Sequence, residues 1–166
     1  MKTIEYFAYG SNMNLDQMAR RCPGAKVIGT VRLDGYRLTF AGGGCDGVAT
    51  ILPDADSHVD GVLWDIRKGD EKSLDYYEGF PNLYGKETVT VKDQAGNMHE
   101  AMAYTMNAPY RDAPAAPSAY YLNGIVTGCR QNKISPQPVY AAFERICKET
   151  EARQMHRTPR RRWQQR

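Results

Sequence analysis

Residues 3–9 read TIEYFAY, a β-branched and aromatic run without a breaker. It predicts a strand that ends in the turn Gly10-Ser11-Asn12. The apolar spacing then becomes helical. Leu15, Met18, Ala19 and Cys22 fall at i, i+3, i+4 and i+7, Asn14 stands as N-cap with Gln17 three residues on, and Pro23-Gly24 is the stop. Strand-like stretches follow at 26–33 and 36–41 around Asp34-Gly35, and at 47–52 and 59–66. Asp70 is placed to cap a short helix that runs to Glu78 and ends at Gly79. Two more strands, at 87–91 and 100–106, flank the turn Gln94-Ala95-Gly96-Asn97, and the three prolines of 107–117 predict a surface loop.

Helical spacing returns at Leu122, Ile125, Val126 and Cys129, with Ser118 as cap. It returns again at Val139, Ala142, Phe143, Ile146 and Cys147, opened by Ser135-Pro136. Strands therefore occupy most of the first hundred residues and helices the last fifty. That order predicts an α+β fold with a strongly curved sheet or small mixed barrel, not a doubly wound one. Residues 151–166 show no apolar period and read as a disordered or induced-fold tail, which leaves one domain over residues 1–150.

Charge sharpens this division. The 166 residues carry a net charge of +3, but 151–166 hold six arginines against Glu151 alone, so the tail is at +5 and residues 1–150 at −2. A basic surface for polyanions is thus an expectation for the tail only. The four cysteines and three histidines show no ligand spacing, which argues against a disulfide framework or a zinc site. No apolar run reaches the roughly 18 residues of a membrane span, and the first twelve residues turn polar too early for a signal peptide. The expected setting is the cytoplasm, with reduced thiols.

Three places carry candidate chemistry. The segment Tyr9-Gly10-Ser11-Asn12-Met13 joins a strand to a helix start, where unpaired N–H groups can converge on a carboxylate or an oxyanion; spacing alone favours a plain turn capped by Ser11 and Asn12. Glu78 falls in the last turn of a helix among Tyr76, Tyr77 and Phe80. The dipole's negative end and desolvation would both raise its pKa towards neutrality, as a proton shuttle requires; the alternative is a solvated acid beside a helix C-cap. Tyr84 and Tyr121 are the third set, read either as core or rim tyrosines or as ligand contacts. The glycine cluster 42–47 lacks the Lys-Ser/Thr of a phosphate loop and reads as a strand connection.

Taken in order, YFAYGSNM (6–13), YRLTF (36–40), GVATI (47–51), GVLW (61–64), LDYYEG (74–79) and PSAYYLNGIVTG (117–128) resemble the γ-glutamylcyclotransferase family, the AIG2-like group, over roughly residues 3–150. The resemblance implies a small mixed barrel with packed helices and no metal or cofactor. It places the catalytic carboxylate at Glu78, the signature loop at Tyr9–Met13, and substrate-facing tyrosines at Tyr84 and Tyr121. It implies cyclisation of a γ-glutamyl amino acid or γ-glutamylamine to 5-oxoproline with release of the amine, by a monomer or homodimer acting on a small molecule. The pair Tyr76-Tyr77 departs from the family's pattern and bears on the substrate. The competing expectation is a non-catalytic binding module of the same fold whose arginine-rich tail contacts nucleic acid or another anionic partner.

Overall fold

A computed structural model describes residues 2–42 and 46–157. Five strands, β1 (Thr3–Ala8), β2 (Lys26–Ala41), β3 (Val48–Arg67), β4 (Tyr84–Asp93) and β5 (Met98–Met106), close into a barrel in the order β1-β3-β2-β4-β5. All neighbours are antiparallel except the closing pair, β1 with β5, which run parallel at Tyr6 and Met102. Four helices surround it: α1 (Leu15–Arg21), α2 (Lys68–Glu78), α3 (Ala119–Gln131) and α4 (Gln137–Arg157). This is the expected α+β mixed barrel. Phe7, Phe40, Val62, Leu63 and Val91 are buried in a common core, which Ile125 and Ile146 join from the helices; at Val62 and Leu63 both faces of β3 are covered. Among the described residues, no helix is long and apolar enough to cross a membrane.

Two pairs of expected strands are each one long strand. Lys26–Ala41 and Val48–Arg67 form a hairpin whose register jumps where Asp34 pairs with His58 and Tyr36 with Pro53. Only Gly35 lies between the pairs on β2, whereas residues 54–57 lie between them on β3 and bow out as a bulge. The Asp34-Gly35 and Pro53–His58 turn signals are therefore real, but they mark a bulge inside a continuous ladder. Residues 43–45 of the glycine-rich connection lie outside the described residues.

The helix signals are placed more closely. Asn14 Oδ1 accepts from the N–H groups of Asp16 and Gln17 at 3.1 and 3.0 Å, and Ser118 Oγ accepts from Tyr121 N–H at 3.1 Å. Gln17 does not complete a capping box, because its Oε1 is taken by Arg21. Asp70 is not the cap of α2 but its third helical residue: the N-cap is Arg67, whose N–H donates to the Asp70 carboxylate at 2.9 Å. Gly79 closes α2 at φ 64°, a left-handed conformation that a side chain would oppose.

The last helix runs further than its apolar period. Residues 151–157 continue α4 to Arg157 on the exposed surface, so the start of the expected tail is helical. Glu, Ala, Arg, Gln and Met all tolerate a helix, and Arg153 pairs with Glu149 one turn back at 3.5 Å. Residues 158–166 of that tail lie outside the described residues.

Candidate active site

One end of the barrel opens into a narrow pocket lined by Tyr6, Tyr9, Gly10, Ser11, Asn12, Ala49, Glu78, Tyr84, Tyr104 and Tyr121. Every strand but β2, together with α2 and α3, supplies part of this wall or its edge. The chain leaves β1 at Ala8 and tightens at once into a 3₁₀ turn, Ser11–Met13, before α1 begins. Helix α3 holds that turn in place. Asn132 Nδ2 donates to Met13 C=O at 2.8 Å, Asn14 Nδ2 to Gly124 C=O at 3.0 Å, and Leu15 N–H to Gln131 Oε1 at 2.8 Å. Trp64 adds an indole N–H to Asn12 C=O at 3.1 Å. The turn is thus fixed by side chains from both β3 and α3.

Four of the five predicted turn residues, Tyr9 to Asn12, reach the pocket. Met13 does not: its side chain is buried in the core and its N–H is spent on Gly10 C=O at 3.1 Å. The N–H of Asn14 is likewise spent on Ser11 C=O. Both belong to the 3₁₀ turn, a compaction that neither the strand nor the helix pattern reveals. Ser11 and Asn12 are not backbone caps, since Asn14 fills that role. Their buried side chains bond away from their own backbone, Ser11 Oγ lying 3.3 Å from the Tyr77 hydroxyl and Asn12 Nδ2 reaching Tyr6 and Glu78. Gly10 packs against β3 so closely that an added Cβ would meet Ala49 Cβ at 3.2 Å and the Tyr121 hydroxyl at 3.7 Å.

Glu78, the last residue of α2, is brought to the same pocket and is partly buried. Its Oε1 accepts from Asn12 Nδ2 at 3.2 Å. Burial pushes its pKa from 4.5 up to about 7, against the pull of the Arg21 charge and the Asn12 hydrogen bond. Desolvation by the surrounding tyrosines therefore sets the proton affinity. The aromatics next to it in sequence contribute little to that wall, because Tyr76 is 92% exposed and Tyr77 43%. The desolvating rings come from the strands and from α3.

Tyr84 and Tyr121 also converge here. The Tyr84 hydroxyl donates to Ala49 C=O at 2.5 Å, and Ala49 N–H donates to the Tyr121 hydroxyl at 3.0 Å. Burial raises the pKa of both, so both are neutral phenols at neutral pH. Tyr120, the neighbour of Tyr121, points to solvent at 85% exposure.

Sequence reasoning missed Tyr6, Ala49, Tyr104 and Arg21. Tyr6 accepts from Asn12 Nδ2 at 2.9 Å, and Tyr104 donates to the Asp75 carboxylate at 2.5 Å while its C=O accepts from the Tyr9 hydroxyl at 2.5 Å. The strand alternation that puts Tyr6 and Ala8 on one face carried that signal for Tyr6, and the Gln17–Arg21 spacing of four carried one for Arg21. Ala49 acts through its backbone and left no trace in side-chain pattern. Among the described residues, no three His, Cys, Asp or Glu side chains gather in a way that could hold a metal ion.

The family described as gamma-glutamyl cyclotransferase, AIG2-like, matches residues 6–123. The γ-glutamylcyclotransferase of Bos taurus is 33% identical over 135 residues, which span 76% of this chain and 70% of that protein. The Homo sapiens γ-glutamylcyclotransferase gives the same identity and the same coverage. A solved structure of a γ-glutamyl cyclotransferase superposes with a TM-score of 0.75 at 28% identity, covering 85% of this chain and 86% of the other.

Proposed function

Because the chain belongs to the AIG2-like γ-glutamylcyclotransferase family, we propose that its pocket folds a γ-glutamyl compound for ring closure and that Glu78 carries the proton. An enzyme of this kind converts a γ-glutamyl compound to 5-oxoproline and a free amine. The substrate brings its own nucleophile: the α-amine attacks the γ-carbonyl, a five-membered lactam forms, and the C–N bond to the leaving amine breaks. Holding the reacting ends in a near-attack geometry accounts for up to about 7–11 kcal/mol of barrier in well-oriented cases. The protein must then take a proton from the α-ammonium, stabilise the oxyanion, and return a proton to the leaving nitrogen.

The observation that carries this reading is the placement of Glu78. Its carboxyl sits in a pocket of phenol rings, held through Asn12, with a pKa of about 7. At neutral pH such a group is present in both protonation states, so it can accept the ammonium proton and later release it to the departing amine. The Tyr121 hydroxyl accepts from Ala49 N–H and keeps its own proton to donate into the pocket. In this reading it orients the γ-glutamyl group, together with the turn Tyr9–Asn12.

The test is 5-oxoproline release by Glu78→Gln over a panel of γ-glutamyl amino acids, γ-glutamylamines and glutathione. We expect a loss of roughly 10²–10⁴-fold on whichever substrate the wild type prefers. A correctly folded Glu78→Gln protein with wild-type turnover excludes Glu78 as the shuttle.

A further inference from the structure

Asn12 presents its amide nitrogen, not its oxygen, to Glu78, and the reason lies one step further out. Nδ2 serves both Glu78 Oε1 at 3.2 Å and the Tyr6 hydroxyl at 2.9 Å, which uses its two hydrogens. Oδ1 accepts from Arg21 Nη1. A guanidinium only donates, so it cannot face the amide nitrogen. While Arg21 is in place the Asn12 amide has one orientation, with its donor on the carboxylate.

Arg21 is itself held on three sides. Nη2 donates to Gln17 Oε1 at 2.8 Å, Nη1 also reaches Ser11 Oγ at 3.4 Å, and the guanidinium lies over the Tyr77 ring with Cζ 3.5 Å from its centroid. Tyr77 immediately precedes Glu78. The stack therefore joins the end of α1 to the end of α2 and fixes how far Glu78 stands from Asn12. Arg21 does not line the pocket.

We propose that Arg21 is a positioning residue for the cyclisation: it acts through Asn12 and Tyr77 to hold the Glu78 carboxyl in its working place, without touching substrate. This rests on the reading of Glu78 as proton carrier. The titratable groups that face Glu78 from the packed elements are Tyr6 and Tyr9 of the β1 end, Tyr84, Tyr104, Tyr121 and Arg21. The five phenols are all shifted upwards and uncharged at neutral pH, so Arg21 supplies the charge among them.

The experiment measures 5-oxoproline release across neutral pH for wild type, Arg21→Met, Arg21→Lys, Asn12→Ala and the double variant Arg21→Met with Asn12→Ala. Arg21→Met keeps the apolar stem and loses the fork. We expect kcat to fall roughly tenfold to a hundredfold, with KM changed less, and the acid limb of kcat/KM to move to higher pH as the opposing charge is lost. Arg21→Lys should keep the limb in place yet lose rate, because an ammonium cannot reproduce the guanidinium's fork of donors over the ring. In the Asn12→Ala background, Arg21→Met should cost little more, since the two act in series.

Wild-type kcat and an unmoved limb in Arg21→Met overturn the proposal, as do fully additive losses in the double variant. If Arg21→Met does not fold, wild-type turnover in Arg21→Lys overturns it instead. An active Glu78→Gln enzyme would remove the parent reading; an inactive Glu78→Gln beside a normal Arg21→Met removes this proposal alone.

Discussion

Tyr84 and Tyr121 are both bonded to Ala49, one to its carbonyl at 2.5 Å and the other to its N–H at 3.0 Å. A single residue of β3 thus sets where two phenol groups stand in the pocket wall. The two bonds differ in their surroundings. Tyr84 is 4% exposed, whereas Tyr121 is half-buried at the pocket edge. Tyr84→Phe strands a buried carbonyl and should cost about 1–3 kcal/mol of stability. Tyr121→Phe should cost less stability and more activity, because its hydroxyl faces the pocket. Urea unfolding of the two variants beside their kcat/KM values checks the contrast; an unshifted midpoint for Tyr84→Phe would contradict it.

Glu78 trades stability for its place in the pocket. Its pKa is 4.5 ordinarily and about 7 in the fold. Between those values the folded protein binds a proton that the unfolded chain does not, so the unfolding free energy falls as pH rises and is lowest above about 7. Glu78→Gln removes this penalty. The variant should be more stable than wild type by about 1–3 kcal/mol above neutrality, with the gain vanishing in mild acid. Melting the pair at several pH values decides it, and an equal gain at all pH values would show that the carboxylate is not the cause.

Gly10 leaves the room that the pocket needs. A side chain there would press against Ala49 Cβ at 3.2 Å and the Tyr121 hydroxyl at 3.7 Å. Gly10→Ala should raise KM several-fold, with a stability change under about 1 kcal/mol if the neighbours yield by a few tenths of an ångström. Substrate titration alongside a thermal melt separates the two effects.

Another titrating group lies outside the site. His99 of β5 faces Asp93 of β4 at 2.8 Å and Glu5 of β1 at 3.3 Å, so it spans the seam where the barrel closes. The Asp93 hydrogen bond raises its pKa above 6.5, and that of Asp93 falls to about 2, chiefly through the same bond. The stabilisation from protonated His99 is complete below 6.5 and is lost as pH rises through its raised value. The contribution of Asp93 is complete above 3.8 and is lost as pH falls towards about 2. An NMR titration of His99 should give a midpoint above that of a free imidazole, and Asp93→Asn should lower it.

What the chain declares in advance depends on how local the cause is. Asn14, Ser118 and Gly79 act within one turn of their own helix, and each stands where its spacing placed it. The bulge opposite Gly35 requires two strands in register, so from one strand alone Pro53–His58 looks like an end. The site divides in the same way. Glu78, the turn after β1 and the two tyrosines were readable as candidates from their positions, and their likeness to a known family singled them out. The walls that desolvate Glu78 are Tyr6, Tyr104 and the backbone of Ala49, which come together only when the barrel closes. Arg21 is invisible as a partner of Asn12 until the 3₁₀ turn is folded beside the end of α1.

The closing pair of strands sets an order on synthesis. β1 leaves the ribosome first, yet its free edge waits for β5, and the pocket waits further still for Tyr121. A nascent chain that has reached Asn97 carries unpaired edges on β1 and β4, of the kind that recruit other strands. The barrel's edges therefore stay open to other strands until β5 has been made, and the pocket stays incomplete until Tyr121 has followed.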